Sequence, residues 1–210
     1  MTRVKKTVTM TTSLPPIYYI RHGETDWNRL GLIQGEIDTE LNALGRQQAA
    51  ELAQALLAHQ PELTTYNFFV SPQKRAQDTM RAIATAQGRD MASIPTDRRI
   101  RELGFGVWEG RPQWELKADP AYPADPEGHY FWRPAGGESY EDGMARVDDF
   151  LASLTGPTLL VSHGAIGRCL MGRIGGFGPD RIPVLPIPQG HYCKLENGAV
   201  QWFDCMHEAV

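Results

Sequence analysis

A short apolar run, Ile17 to Ile20, leads directly into Arg21-His22-Gly23-Glu24-Thr25-Asp26-Trp27-Asn28. A neutral imidazole with one unprotonated nitrogen is a nucleophile toward phosphorus, and an ordinary pKa of about 6.5 keeps much of it neutral near pH 7. Attack by such a histidine divides a hydrolysis into two steps through a covalent intermediate. Arg21 beside it offers planar, bidentate donors suited to phosphate oxygens. Gly23, lacking a Cβ, would let the backbone approach a ligand closely. An arginine-histidine-glycine triplet also fits a solvated strand end, so the octapeptide needs support from elsewhere in the chain.

Two other segments share its layout. Phe68-Phe69-Val70 leads into Ser71-Pro72-Gln73-Lys74-Arg75, and Thr158 to Ser162 leads into His163-Gly164. Short apolar or β-branched runs followed by polar residues and then a helical pattern read as buried parallel strands of an α/β domain. Ligands of open α/β sheets sit outside the carboxyl ends of the strands. Arg21, His22, Arg75 and His163 are therefore expected around one crevice despite their separation in sequence.

The elements that must hold them are punctuated by caps. Asn42 predicts the start of a helix whose buried positions are Ala49, Leu52, Ala53 and Leu56. Ser71 as N-cap with Pro72 at the first helical position predicts a second helix, burying Ala76, Met80, Ile83 and Ala84. That places Arg75 in a first turn, where free N–H groups favour an anion. A third helix starts at Ser139 with Asp142 as its capping-box partner, buries Met144, Val147, Leu151 and Leu154, and stops before Gly156-Pro157. Asn197-Gly198 predicts a hairpin between strands at 191–195 and 199–203.

Taken together and in order, Arg21 to Asn28, Gln34-Gly35, Ser71-Pro72 with Arg75-Ala76 and Thr79, Arg101-Glu102-Leu103-Gly104 through Trp108-Glu109-Gly110, Gly136-Gly137-Glu138-Ser139 and Ser162-His163-Gly164 resemble the histidine phosphatase superfamily. Its phosphoglycerate mutase-like branch 1 includes the cofactor-dependent phosphoglycerate mutases and the fructose-2,6-bisphosphatase domain. The resemblance implies a three-layer α/β/α fold with a mostly parallel central sheet flanked by helices. It implies His22 as nucleophile, with Arg21, Arg75, Asn28 and His163-Gly164 at the phosphate and His163 opposite the nucleophile. Gln34 and Gly35 then lie at the rim, where substrate-binding residues occur. Glu102 is the implied proton donor to the leaving alcohol, and Glu109 is its rival. Glu138 reaches either a backbone N–H or the site. Glu24, Thr25, Asp26 and Trp27 shape the loop.

The resemblance also divides two activities. In the mutases, the position after Glu102 continues with Arg-His-Tyr-Gly and later a paired-arginine segment; here it reads Leu103-Gly104-Phe105-Gly106-Val107-Trp108-Glu109-Gly110. That departure and the modest length favour net hydrolysis by a histidine acid phosphatase-type enzyme acting on a small phosphorylated metabolite, expected to be metal-independent because side chains supply the positive charge and no carboxylate cluster has metal-site spacing. The alternatives are phosphoglycerate mutase-type phosphoryl transfer and a catalytically inactive phosphate-binding module. The latter predicts a missing nucleophile, arginine or acid, and all of these are present.

Composition narrows the partners. The 210 residues carry a formal charge of −4 and a pI near 5.9, which gives no basis for a nucleic-acid partner. Cys169, Cys193 and Cys205 have no zinc-site spacing and read as reduced thiols of a cytoplasmic protein. No apolar stretch approaches the roughly 20 residues of a membrane span. The expected partner is a small-molecule phosphate ester, with no cofactor or metal called for and the oligomeric state open. Residues 1–16 read as a flexible tail, with Met10 as an alternative start, and 17–210 as a single domain. The aromatic- and proline-rich stretch 105–134 is either a lid or substrate-side wall, or a surface excursion with its aromatics tucked against the core.

Overall fold

The computed structural model describes residues 14–205, so the expected tail falls, up to residue 13, outside the described residues. A five-stranded sheet runs in the order β2-β3-β1-β4-β5, with β1 Ile17–Arg21, β2 Asn67–Val70, β3 Thr158–Ser162, β4 His191–Glu196 and β5 Ala199–Asp204. β1, β2 and β3 are mutually parallel, β4 pairs antiparallel with β1, and β5 antiparallel with β4. Four of the five strands therefore point the same way. The hairpin turn sits at Asn197 and Gly198, with φ of 50° and 81°, values that a two-residue turn demands and that asparagine and glycine tolerate.

Alternation along β1 shows why the sheet needs helices on both faces. Ile17 and Tyr19 join one buried cluster and Tyr18 and Ile20 the other. The first cluster is completed by α6 Tyr140–Ala152 and α7 Gly164–Gly175, the second by α2 Ala43–His59 and α3 Lys74–Ala86. This is the three-layer arrangement. The shorter helices α1 Asp26–Arg29, α4 Gln113–Ala118 and α5 Pro126–Phe131 lie in the connections.

The caps behave as sequence chemistry dictates, with one exception. The Asn42 side chain accepts from Gly45 N–H, and Ser139 and Asp142 form a reciprocal capping box. Ser71, however, does not cap α3: the helix begins at Lys74 after Gln73, whose side chain makes no cap bond. The Ser71 hydroxyl is engaged instead with His163 Nε2 at 2.6 Å. Arg75 remains in the first turn of α3. Leu154 lies beyond α6 and is only partly buried. Among the described residues no helix is long and apolar enough to cross a membrane. The three cysteines are free, and burial pushes the Cys193 and Cys205 thiols up to about 12.

Candidate active site

The crevice arises from topology. β1 and β3 are neighbours, yet the chain leaves β1 toward α2 on one face and leaves β3 into α7 on the other. Such a divergence opens a cleft at the carboxyl ends of the strands. The ends are tied together: His22 N–H donates to Ser162 O at 3.0 Å and Ser71 N–H to Val161 O at 3.1 Å. The resulting cavity of about 420 Å³ has Arg21, His22, Asn28, Gln34, Gly35, Arg75, Glu102 and Gly164 in its wall. His163 lies just behind, fully buried, its ring 5.1 Å from that of His22. A larger shallow groove of about 1040 Å³ between α2 and α3 contains none of these residues.

His22 is prepared as a nucleophile by its neighbours. Its Nδ1 lies 2.8 Å from the Gly23 carbonyl, which can only accept, so Nδ1 carries the proton and Nε2 keeps its lone pair. Burial, reinforced by the positive charges of Arg75 and Arg21, holds its pKa well below 6.5. The ring is therefore neutral at physiological pH. Gly23 carries a packing constraint besides the expected one. A Cβ there would stand 2.3 Å from Gly45 O, so the residue is needed for backbone packing against the first turn of α2. Its N–H is held by Thr79 Oγ1 at 3.0 Å.

The two arginines are braced by backbone carbonyls. Arg75 Nη1 and Nη2 donate to Ile37 O and Gly35 O, both at 2.9 Å, and Arg21 Nη1 donates to Ile187 O at 2.8 Å. Burial lowers Arg75 to about 10, which still leaves it charged at neutral pH. Among the described residues neither arginine has a carboxylate within ion-pairing distance. Arg21 Nε, Arg75 Nε and His163 Nδ1 are buried without a hydrogen-bond partner. Buried unpaired polar atoms are rare and cost about 1–3 kcal/mol each; Arg21 and Arg75 line the cavity, with His163 behind it.

Ser71 explains the state of His163. Its oxygen accepts weakly from Gln73 N–H at 3.4 Å and can donate its own proton to His163 Nε2. With Ser71 as the donor, the ring proton resides on the unpartnered Nδ1, which is then free to donate. Burial first, and then Arg75, His22, Arg21 and Arg146, push its pKa well below 6.5.

The carboxylates separate cleanly. Glu102 Oε1 accepts from the N–H of Leu103, Ala165 and Ile166 at 3.1, 3.1 and 3.4 Å, while Oε2 has only Ala165 N–H at 3.2 Å. The carboxylate thus occupies the N-terminus of α7, where His163 supplies no side-chain cap. Glu109 Oε1 accepts from Glu36 and Phe105 N–H, both at 2.9 Å, stapling two loops outside the cavity wall. Glu138 is paired with Arg101 and Arg146 at 3.0 Å each and accepts from Gly104 N–H at 3.1 Å, also away from the cavity. Of the three, only Glu102 faces it.

Asn28 and Gln34 present amide nitrogens. The Asn28 oxygen accepts from Thr25 N–H at 3.2 Å and Gln189 Nε2 at 3.1 Å. The Gln34 oxygen accepts from Thr25 and Thr39 hydroxyls at 3.1 and 2.5 Å. With both carbonyls occupied, the NH₂ groups remain as donors. Gly35 is a framework residue: its φ is +52° and a Cβ would stand 2.0 Å from Glu109 Oε1. Its carbonyl accepts from Arg75 and from Gln73 Nε2, and the Gln73 Oε1 holds Glu102 N–H at 2.8 Å. Gln73, unremarkable in the sequence, therefore links the arginine, the rim glycine and the acid.

The outer wall comes from 105–134 and from α6 and α7. Phe105, Gln113, Leu116, Lys117, Tyr122 and His129 line the cavity, together with Tyr140 and Arg168. Other aromatics of the segment, Trp108 and Tyr130, are buried, while Trp114 and Phe131 are 69% and 51% exposed. Among the described residues no group of three or more histidine, cysteine, aspartate or glutamate side chains is arranged to hold a metal ion.

A family model described as histidine phosphatase superfamily (branch 1) matches residues 17–203. A glucosyl-3-phosphoglycerate phosphatase of Mycolicibacterium vanbaalenii is 33% identical over 184 residues, covering 79% of this chain and 76% of that protein. The fructose-2,6-bisphosphatase TIGAR B of Danio rerio is 39% identical over 192 residues, covering 86% and 69% respectively. Among solved structures, a mycobacterial glucosyl-3-phosphoglycerate phosphatase in complex with VO3 superposes with a TM-score of 0.72 at 30% identity, covering 90% of this chain and 96% of that one.

Proposed function

Because the chain belongs to branch 1 of the histidine phosphatase superfamily, we propose that it hydrolyses phosphate monoesters of small, sugar-type metabolites through a phosphohistidine at His22. The observation that carries this reading is the state of His22 at the cavity floor. The ring is neutral, Nδ1 is committed to the Gly23 carbonyl, and Nε2 is unencumbered beside two arginines that lack carboxylate partners among the described residues. The relatives named above act on phosphorylated sugar derivatives.

In the first step the Nε2 lone pair forms a bond to phosphorus as the ester P–O bond breaks. Phosphoryl transfer asks mainly for alignment and for charge stabilisation on the equatorial oxygens. Arg21 and Arg75 supply it through N–H groups not used on Ile187, Ile37 and Gly35, and His163 Nδ1–H and the Asn28 amide add neutral donors. Glu102 Oε2 gives a proton to the departing alkoxide, since Oε1 is held by three backbone N–H groups. In the second step the same oxygen takes a proton from the attacking water, and phosphate leaves with Nε2 restored. The positive charge that the reaction needs comes from side chains, so the proposed enzyme is metal-independent. The free cysteines accord with a reducing, cytoplasmic setting.

A screen of the purified protein against many phosphomonoesters, with 3-phosphoglycerate isomerisation followed in parallel, tests the reading. Release of inorganic phosphate without isomerisation is expected. Isomerisation exceeding phosphate release would assign a mutase, and no turnover of any ester would leave a binding module.

A further inference from the structure

The stretch of chain that carries Glu102 belongs to no helix or strand. A 3₁₀ turn ends at Ile100 and residues 101–105 are irregular, so neither a helical nor a sheet ladder fixes the backbone there. Buried backbone polar groups still require partners, and side chains supply them. Gln73 Oε1 accepts from Glu102 N–H at 2.8 Å, and Ser162 Oγ donates to Ile100 O at 2.7 Å.

The neighbouring carbonyls converge on one residue. Arg146 projects from α6, and its Nη1 donates to Arg99 O at 3.0 Å and Arg101 O at 2.9 Å. Its Nη2 reaches Glu102 O at 3.4 Å and Glu138 Oε2 at 3.0 Å. The same Glu138 oxygen accepts from Gly104 N–H at 3.1 Å, and Glu138 N–H donates to Gly104 O at 2.8 Å. Arg146 thus grips the chain before the acid and at it, and its carboxylate partner grips the chain two residues after. The Arg146 side chain is only 16% exposed and forms no part of the cavity wall. A planar guanidinium, with donors along several edges, spans such a set of acceptors as a compact ammonium does not. A buried ion pair is weak evidence for stability; one whose carbonyl acceptors all fall within residues 99–102 fixes the direction in which the Glu102 side chain leaves the backbone.

We propose that Arg146, paired with Glu138, is a positioning residue for the leaving-group acid: it sets the 99–104 backbone so that Glu102 Oε2 faces the departing alcohol. The proposal rests on the phosphatase reading above and on the role of Glu102 within it. A displacement of about 1 Å at a reacting group can cost about 10²-fold in rate. Loosening the clamp should therefore show in proton delivery and spare the phosphate-binding floor, because the hydrogen bonds that brace Arg21, His22, Arg75 and His163 do not involve Arg146.

The test measures kcat/KM, which reports the steps up to departure of the alcohol, for sn-glycerol 3-phosphate, 3-phosphoglycerate and p-nitrophenyl phosphate. The proteins compared are the wild type, Glu102→Gln, and Arg146→Met and Arg146→Lys, each alone and combined with Glu102→Gln. Arg146→Met should lower the two alkyl esters by about 10- to 100-fold and the nitrophenyl ester by less than about threefold. Arg146→Lys, which keeps a charge opposite Glu138 but not the full carbonyl set, should show part of that bias. On the Glu102→Gln background neither Arg146 change should add further bias, since the acid is already absent. A residue that merely held the fold would lower all three esters alike, and its effect would add to that of Glu102→Gln; either result overturns the proposal. Should Arg146→Met fail to fold, Arg146→Lys decides by the same two criteria. Bias in Glu102→Gln but in neither Arg146 variant would sink only the positioning role. No bias in Glu102→Gln, or turnover of the nitrophenyl ester alone, would remove the acid assignment and the proposal with it; absence of all hydrolysis would sink the phosphatase reading as well.

Discussion

Replacing Glu102 by glutamine separates its two duties. The amide can keep its carbonyl oxygen where Oε1 now accepts from Leu103, Ala165 and Ile166 N–H, so the α7 N-terminus stays capped. What is lost there is charge: a favourable interaction of about 0.3–1 kcal/mol with the helix dipole, plus the difference between charged and neutral hydrogen bonds. Stability should fall by only about 1 kcal/mol. Chemistry should suffer far more, because an amide at the Oε2 position cannot deliver a proton. General acid assistance contributes about 10²–10⁴-fold when the leaving group is an alkoxide and little when it is p-nitrophenolate. The assay is the pre-steady-state rate of His22 phosphorylation with an alkyl phosphate and with p-nitrophenyl phosphate, since a shared dephosphorylation step would conceal the contrast. Glu102→Gln should depress the first by that factor and the second by less than tenfold. Glu109→Gln, which weakens acceptors for Glu36 and Phe105 N–H, should lower both rates by similar factors. Leaving-group bias in Glu109→Gln and none in Glu102→Gln would refute the assignment.

Other perturbations follow from the same geometry. Arg75→Met keeps volume but abandons the Gly35 and Ile37 carbonyls; kcat/KM should drop about 10²–10⁴-fold and urea stability by about 2 kcal/mol or more, and a native fold with under tenfold loss would place Arg75 outside the chemistry. His22 and His163 are held neutral, with pKa values well below 6.5, whereas the unfolded chain takes up protons below that value. Their contribution to stability is therefore complete above about pH 6.5 and lost as pH falls toward the folded-state values, by roughly 1.4 kcal/mol per pH unit for each. Urea titrations at pH 7.5 and 5.5 should differ by about 3 kcal/mol from these two groups, and equal stability at both would contradict their burial as neutral rings. Activity should survive prolonged EDTA treatment; loss on chelation restored by magnesium or zinc would show that side-chain cations do not suffice.

Much of the frame was legible because it rests on local chemistry. Asn42, the Ser139 and Asp142 pair and Asn197-Gly198 each satisfy backbone groups within a few residues, and the strands ending at Arg21, Val70 and Ser162 are apolar on both faces. Ser71-Pro72 misled for the same reason: the pair has the local form of a helix start, but a buried histidine from β3's end claims the hydroxyl. The close packing of Gly23 against Gly45, on a helix distant in sequence, has no local signal either. Gln73, Tyr140 and Arg168 carry no local signal at all. Their importance lies in what the tertiary fold sets beside them.

The account stands or falls on the covalent step at His22. Labelled substrate mixed with enzyme and quenched within milliseconds under alkaline conditions should leave an acid-labile, base-stable phosphoryl group on the peptide containing His22, formed no more slowly than turnover and absent from His22→Ala. An adduct on another residue, or near-normal phosphate release by His22→Ala, would contradict it.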